Sequence, residues 1–561
     1  VDLKALGITD YGVVYDLDNE RLGSSLNYNG EQMPLACYPN EGFLKVDNVD
    51  RNDQETVLTF NGLEERIQRW TQAKDVWISG RTDSSYRSST LPVVVKEEGK
   101  IAIPSRDRVN TGDARLKIMN VIEELDSPGE WYLDRDTGYL YIIAPKDFSV
   151  GEELVFSSFN QDFIKITGAS NIVIEGIHFA NTAARAINVK SSDSIVVNAC
   201  EFNDINRQVM LVSESTNTGI QNSSIHDIGN QAITMLSCGD LQTLTPSNNF
   251  VKNTLIEKAC QVDQGKYCID INGCVGITVS HNEIHDVPIW GIIYNESNDI
   301  TIEYNELYKM CYNGDDCGAI YCGRNWTTRG NVVRYNYIHD CLGSEMRGVY
   351  LDDLHSSTEV YGNVFQKVQY AVTIGGGRDN KVVNNLIVDS MFVVLTDNRG
   401  VGNPWIEEGG YVYNMLMAVP YKDGIWAERY PELVNILEDE PGLPKRNVIK
   451  NNVQYLSSGR IQEYGGLLSN GAALNEDVVK YGTVENNITL DGTTSFANYA
   501  LNDLTILEGS ELKAKLPEFE IIPFKEIGRY DYSLDDNYSK NKVEGEEEGV
   551  KQSLKMTAPI N

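Results

Sequence analysis

The sequence predicts an all-β protein whose main body is a parallel β-helix, a solenoid of stacked β-strand coils. Two observations carry this prediction. The chain has 561 residues, too many for one ordinary compact domain unless the fold is repetitive. A short asparagine-containing phrase recurs along the chain with no helical pattern between its copies, as solenoid repeats do.

The repeated phrase is clearest between residues 281 and 389. It reads HNEIHD, YNELYK, YNYIHD, GNVFQK and NNLIVD, and its asparagines are Asn282, Asn305, Asn336, Asn363 and Asn385. Stacked side-chain amides can hydrogen-bond along a solenoid axis, so we expect these asparagines to be structural. We expect the same of His226, His285 and His339, because their IHD phrase recurs in coils that share no other chemistry.

A second short strand accompanies each copy of the phrase. These strands read WGIIYNE, CGAIYCG, RGVYLDD, YAVTIGG and FVVLTDN, and they are rich in β-branched residues. Aligning them places Asn295, Cys322, Asp352, Gly375 and Asp397 in one column and Glu296, Gly323, Asp353, Gly376 and Asn398 in the next. Coils stack at about 4.8 Å, so acids two coils apart would lie near 10 Å.

The ends of the chain differ from this central region. Residues 1–155 contain segments such as ETVLTFNG, DVWISGR and GEWYLDRDTGYLYIIAP, which predict antiparallel strands, and MNVIEELDSP, which predicts a short helix stopped by Pro. We therefore expect a β-rich domain or insertion over 1–155, a β-helix over 156–530 and a polar acidic tail over 531–561.

The composition argues against nucleic acid and membranes as binding partners. The formal net charge of −33 repels nucleic acid and anionic membranes, and no apolar run is long enough to span a bilayer. Nine of the ten cysteines lie between Cys200 and Cys341, a crowding that fits stacked interior positions, and no paired CxxC motifs indicate zinc.

Several phrases resemble a known group of proteins. SPGEWYLDRDTGYLYIIAP, GDDCGAIYCGRNWTTRGNVVRYNYIHD, GVYLDDLHSSTEVYGNVF and GGGRDNKVVNNLIVD are similar to secreted right-handed β-helix enzymes that act on polysaccharides. The named group that the chain most resembles is glycoside hydrolase family 141, which includes a xylanase and an α-L-fucosidase. The resemblance implies a right-handed parallel β-helix and a polysaccharide or oligosaccharide substrate. It also implies an extracellular or cell-surface location, with the periplasm as an alternative.

The resemblance also concerns the start of the solenoid. Members of the group usually carry further N-terminal sequence that begins the β-helix before a β-rich insertion, whereas this chain begins where the insertion would. A first coil without a cap has an unpaired edge. We therefore expect either a separate N-terminal fragment that completes the β-helix or a homo-oligomer.

Two adjacent acidic pairs are the candidate catalytic groups. Asp352 and Asp353 end a strand, whereas Asp315 and Asp316 precede one. The residues alone leave turn chemistry and catalysis open for each pair, and the resemblance favours catalysis. Glycosidases use two carboxyl groups, one as acid and the other as nucleophile or base. We expect Asp353 and Asp316 to take these roles and Asp352 and Asp315 to orient or tune them.

Other residues near these acids are candidate substrate contacts. Arginine can bind carboxylates or hydroxyls, and tryptophan offers a flat face to a sugar ring, although salt bridges that neutralise the acids would explain the arginines equally well. The predicted substrate-binding set is Arg324, Trp326, Arg378, Asp397, Arg399, Glu296 and Trp290.

Three functions remain open from the sequence. The first is glycoside hydrolysis, which requires no cofactor. The second is uronate lysis, in which a basic residue abstracts a proton and Ca²⁺ held by acids neutralises the uronate; Arg378 and the aspartates would allow it. The third is a non-catalytic carbohydrate-binding or structural β-helix. The acidic net charge and the lack of a basic stretch count against the lyase.

Overall fold

A computed structural model describes residues 1–16, 21–82, 86–104, 108–112, 114–149, 152–341, 345–457 and 474–534. The residues described between Val1 and Arg529 form one compact unit, which contains the solenoid, and residues 530–534 belong to a second. The predicted acidic tail phrase KNKVEGEEEGVK falls outside the described residues. None of the helices in the described ranges has the length and apolar composition needed to cross a membrane.

The predicted solenoid is confirmed. In the described part of the chain, three parallel sheets of 10, 11 and 11 strands run along its axis, and each coil contributes one strand to each sheet over most of its length. The first sheet contains Ile164–Thr167, Ile187–Lys190, Met210–Ser213, Ile233–Leu236, Tyr267–Asn272, Trp290–Asn295, Cys317–Gly323, Met346–Asp352, Tyr370–Gly375 and Phe392–Asp397.

The other two sheets close the solenoid. The second contains Ser170–Glu175, Asp193–Asn198, Gly219–Gln221, Asn249–Lys252, Ile277–Ser280, Thr301–Glu303, Asn331–Arg334, Thr358–Tyr361, Lys381–Val383, Val448–Lys450 and Thr483–Glu485. The third contains His178–Thr182, Glu201–Ile205, Ser224–Ile228, Leu255–Glu257, Glu283–Val287, Glu306–Met310, Tyr337–Cys341, Val364–Val368, Leu386–Val388, Val453–Leu456 and Ile488–Asp491.

The asparagine phrase forms the turn between the second and third sheets. Asn336 Nδ2 donates to Asn363 Oδ1 at 2.9 Å, and Asn336 Oδ1 accepts from the backbone N–H of Asn305 at 3.0 Å. The same pattern continues through Asn385 to Asn452 and Asn487. These asparagines therefore satisfy backbone groups inside the turns, as the sequence predicts.

Apolar side chains and thiols fill the interior of the solenoid. All ten cysteines are free and buried, and the nine between Cys200 and Cys341 belong to the solenoid. The three IHD histidines lie on the third sheet. His285 and His339 stack on either side of the Tyr308 ring, with centroid distances of 4.5 and 5.0 Å. This packing agrees with the structural role predicted for them.

Residues before the solenoid form antiparallel sheets, also as predicted. The strands are Tyr15–Asp16, Arg21–Leu22, Ser25–Tyr28, Glu31–Gln32, Cys37–Tyr38, Asn48–Arg51, Glu55–Thr59, Trp77–Arg81, Ser88–Pro92, Val94–Val95, Lys100–Pro104, Arg115–Met119, Trp131–Asp134, Tyr139–Ile142 and Leu154–Ser157. The helices are Glu64–Arg69 and the 3₁₀ turns Lys4–Leu6, Trp70–Gln72 and Ile122–Glu124. The last of these is the short helix that MNVIEELDSP predicts.

A helical insertion separates the last strand of the first sheet from Val448–Lys450. It contains the 3₁₀ turn Pro404–Ile406 and the helices Tyr411–Met417, Gly424–Arg429 and Pro431–Val434. The C-terminal part adds helices Glu476–Tyr481 and Glu511–Lys515, strands Phe496–Asn498 and Asp503–Ile506, and 3₁₀ turns Tyr499–Leu501 and Phe524–Glu526.

The first coil presents apolar side chains to solvent. Phe159, Phe163, Val173 and Ile177 are exposed there, and Phe163 continues an aromatic stack that runs into the core through Phe179. A partner that would cover this edge stays a prediction.

Candidate active site

The outer face of the first sheet carries a groove of about 740 Å³. Its lining residues come from the sheet, from the segment 86–89 of the N-terminal region and from the helical insertion. They are Tyr86, Arg87, Ser88, Ser89, Gly265, Tyr267, Trp290, Asn295, Asp316, Tyr321, Arg324, Tyr350, Asp352, Asp353, Arg399 and Trp405. Six residues that the sequence singles out thus share one cleft: Asp316, Asp352, Asp353, Arg324, Arg399 and Trp290.

The strand register shifts one coil of the predicted columns by one residue, which changes one position in each column. Ile293 pairs with Tyr321, so Asn295 lies level with Gly323 rather than with Cys322, and Gly323 in turn pairs with Asp352. Cys322 points into the core instead, because side chains alternate between the two faces of a strand. The same shift puts Arg324, not Gly323, in the column beside Asp353. Asp397 stays two coils from Asp352, through Gly375.

Asp352 is the most deeply buried acid of the groove, with 6% of its surface exposed. Its Oδ1 accepts a hydrogen bond from Arg399 Nη1 at 2.8 Å and its Oδ2 accepts one from the Tyr321 hydroxyl at 3.2 Å. Burial raises the pKa of Asp352 from 3.8 to about 6, the charge of Asp353 adds to the rise, and Arg399 opposes it. Asp352 therefore carries a proton in most molecules only below about pH 6.

Asp316 reaches the groove from the opposite end of the strands. It directly precedes the strand Cys317–Gly323, and its Oδ1 accepts from Arg347 Nη1 at 2.7 Å and from the Tyr350 hydroxyl at 3.1 Å. Asp352 accepts from the Tyr321 hydroxyl instead, so two acids on consecutive coils are each held by a tyrosine of the groove.

Asp353 is held by two guanidinium groups. Its Oδ2 accepts from Arg324 Nε at 2.9 Å and its Oδ1 from Arg399 Nη1 at 3.1 Å. The two arginines compensate the charge that adjacent carboxylates place at the end of the strand. Asp353, which the sequence favours as a principal catalytic acid, thus pairs with two arginines, whereas Asp352 and Asp316 each pair with one.

Three other predicted residues lie beside the groove but do not line it. Asp315 turns away and forms an ion pair with Arg81 at 3.0 Å. Asp397 binds Arg399 Nη2 at 2.6 Å, and Glu296 accepts from the Tyr411 hydroxyl at 3.0 Å. Asp315 and Glu296 therefore fix neighbouring segments, and Asp397 orients a lining arginine.

Two predicted substrate contacts are wrong, because the structure buries them. Trp326 has no exposed surface and packs with Leu354 and Trp426 beneath the helical insertion. Arg378 is 1% exposed and pairs with Asp439 at 2.8 Å. A sugar in the groove cannot contact either side chain. Trp326 instead anchors the insertion that carries Trp405.

Of the aromatic residues that line the groove, sequence reasoning found Trp290 but missed the tyrosines and Trp405. Tyr350 and Asp352 are two residues apart on one strand, so strand alternation places them on the same face, and this signal was present in the phrase RGVYLDD. Tyr321 and Gly323 show the same spacing one coil earlier. Trp405 and segment 86–89 carried no such signal, since they reach the groove from distant parts of the chain.

No group of three or more His, Cys, Asp or Glu side chains suited to a metal ion occurs among the described residues. The groove acids are instead paired with arginines or tyrosines. The predicted possibility of Ca²⁺ stays untested.

The comparisons with known proteins agree with the architecture. The family model "Right handed beta helix region" matches residues 149–254 and 247–387. No curated protein sequence gives a significant match. A solved structure described as "Glycoside hydrolase" is 15% identical, covers 65% of this chain and 77% of its own, and has a TM-score of 0.54.

Two further solved structures show weaker similarity. The complex of XylC with xylose is 12% identical, covers 86% of this chain and 70% of its own, and has a TM-score of 0.38. The PL6 family polysaccharide lyase Pedsa3628 from Pseudopedobacter saltans is also 12% identical, covers 66% of this chain and 100% of its own, and has a TM-score of 0.33. The family model and the glycoside hydrolase structure show that the chain has the right-handed parallel β-helix fold.

Proposed function

We propose that the protein is a glycoside hydrolase that acts on a polysaccharide or oligosaccharide, with Asp352 and Asp316 as its carboxylate pair. One observation carries the proposal: both acids line the same groove from consecutive coils, Asp352 buried against Tyr321 and Arg399 and Asp316 held by Arg347 and Tyr350. Glycosidases use two carboxyl groups in one groove, one as acid and the other as nucleophile or base.

The two acids receive different roles. Asp352 is the general acid, because burial favours its protonated form and it can donate that proton to the glycosidic oxygen. Asp316 is the nucleophile or base, positioned by Arg347 and Tyr350. This assignment exchanges the roles that the sequence favours for Asp352 and Asp353. Action on extracellular polysaccharide would fit a secreted or cell-surface location.

Aromatic side chains supply the sugar-binding surface in this proposal. Trp290 and Tyr321 pack edge to face with ring centroids 4.8 Å apart, and Tyr267 lies beside Trp290 at 6.1 Å. Such faces stack on the C–H groups of pyranose rings. A groove of this size accommodates a short oligosaccharide segment.

The reaction class is tested by the products. Incubation with xylans, fucosylated glycans and pectic fragments is expected to release reducing ends without ultraviolet-absorbing unsaturated sugars. A lyase would release unsaturated ends from uronates. Binding without turnover on every substrate that binds would instead support a carbohydrate-binding protein and contradict the proposal.

The proposed acid also predicts the pH dependence. The pKa of Asp352 is raised to about 6, so its protonated form predominates below that pH and is lost above it. We therefore expect kcat/KM to fall above about pH 6, approaching about tenfold per pH unit. A pH–rate profile on one cleaved substrate measures this. A rate that rises steadily from pH 5 to pH 8 would contradict the role of Asp352.

A further inference from the structure

Arg324 is the groove arginine with hydrogen-bonding capacity left over. It follows the strand Cys317–Gly323 directly, its side chain is 45% exposed, and it lines the groove. Its Nε donates to Asp353 Oδ2 at 2.9 Å. Within the described ranges, its two terminal nitrogens have no hydrogen-bond partner.

The other arginine of this carboxylate cluster is fully engaged by comparison. Arg399 bonds to Asp352, Asp353 and Asp397 through Nη1, Nη2 and Nε. Asp353 therefore fixes Arg324 through its inner nitrogen and leaves the outer edge of the guanidinium available. That edge presents N–H donors in the geometry that a carboxylate accepts.

Aromatic rings surround the same arginine. Its guanidinium carbon lies 5.8 Å from the centre of the Trp405 ring, and Tyr267 and Tyr321 also line this part of the groove. A sugar ring that stacks on one of these faces would bring a substituent toward the free edge of Arg324. The site thus combines an apolar platform with a fixed cation.

The groove is rich in cations for so acidic a chain. Arg87, Arg324 and Arg399 line it together with Asp316, Asp352 and Asp353, so its lining charges balance in a chain whose net charge is −33. An acidic sugar that reaches Arg324 therefore meets a balanced lining and not a field of carboxylates.

We propose that Arg324 binds the carboxylate of an acidic sugar, so that the substrates of the groove are glycans that contain uronic acid. The inference rests on the proposed function, because it assumes that the groove binds sugars. A neutral sugar would leave the free edge of Arg324 without a charged partner.

Direct binding tests this proposal without requiring turnover. Saturation-transfer NMR titrations of the full chain would compare D-galacturonate and D-glucuronate with D-galactose and D-glucose. We expect the uronates to bind more tightly than the matched neutral sugars. Arg324→Gln is expected to weaken uronate binding by about tenfold or more and to leave neutral-sugar binding nearly unchanged.

Arg334→Gln is the matched control. Arg334 is 44% exposed and pairs with Glu303 on the second sheet, outside the groove. This variant should bind uronates as the wild type does, and the melting temperature of each variant shows whether it is folded. Equal binding of neutral and acidic sugars by the wild type, or unchanged uronate binding in folded Arg324→Gln, would overturn the proposal.

The outcomes separate this inference from the proposed function. Hydrolysis of neutral glycans without a preference for uronates would contradict the role proposed for Arg324 and support the proposed hydrolase activity. Uronate binding through Arg324 with release of unsaturated products would support the uronate subsite and show that the reaction is lysis, which contradicts the proposed hydrolase activity.

Discussion

Asp352→Asn is expected to lower kcat for glycoside hydrolysis by about 10²- to 10⁴-fold while the protein stays folded. Asparagine has nearly the same shape and its oxygen can still accept the hydrogen bond from Arg399, but it has no acidic proton to donate to a leaving group. The loss should be smaller on substrates with a good leaving group, because their departure needs less protonation. Steady-state rates on a natural glycan and on an aryl glycoside measure both effects.

Asp315→Asn provides the matched control for this experiment. Asp315 adjoins Asp316 in sequence but pairs with Arg81 and does not line the groove, so its replacement should change kcat less than about threefold. Wild-type turnover by folded Asp352→Asn would show that Asp352 is not the acid. A large loss of kcat in Asp315→Asn, with normal kcat in Asp352→Asn, would instead assign the catalytic acid to the pair Asp315 and Asp316.

The second large effect concerns stability. Replacing Asn336 by Ala is expected to lower the free energy of unfolding by about 3 kcal/mol or more. The Asn336 side chain is fully buried, accepts from the backbone N–H of Asn305 at 3.0 Å and donates to the carbonyl of Ile302 at 2.9 Å. Alanine would leave these backbone groups without partners inside the solenoid. Urea denaturation followed by circular dichroism measures the loss.

Asn414→Ala serves as the control for the asparagine ladder. Asn414 is exposed on the helix Tyr411–Met417, and its side chain makes a single described hydrogen bond, to the carbonyl of Gly409 at 2.9 Å. Alanine suits a helix, so the stability should change by less than about 1 kcal/mol. Equal stability of Asn336→Ala and the wild type would show that the ladder contributes little.

The fold could be predicted from the sequence because its asparagine phrase repeats. The phrase around Asn282, Asn305 and Asn336 recurs because every coil needs the same amide at the same turn, so a local requirement repeats visibly in the chain. The candidate site could be predicted only in part. Asp316, Asp352 and Arg324 were found because each lies at the end of a repeated strand.

Side-chain exposure could not be predicted in the same way. Trp326 and Arg378 stand in phrases adjacent to the acids, yet both are buried by contacts with the helical insertion, whose packing no repeat encodes. The one-residue error that placed Cys322 instead of Gly323 beside Asp352 has a different cause, the lengths of the strands. The strand Cys317–Gly323 has seven residues and the preceding one has six, so equivalent first residues do not pair.

The parallel solenoid, its asparagine ladder, its antiparallel N-terminal sheets and the coils that carry the acidic pairs could all be predicted from the sequence alone. These features depend on neighbouring residues and on a repeat, both of which can be read along the chain. The folded structure was needed to show that Asp352 is the most buried acid of the groove, that Arg399 and Arg324 hold Asp353, and that Trp405 reaches the groove. Burial and ion pairing depend on which distant segments meet, and the helical insertion and segment 86–89 meet the first sheet only when the whole chain is folded.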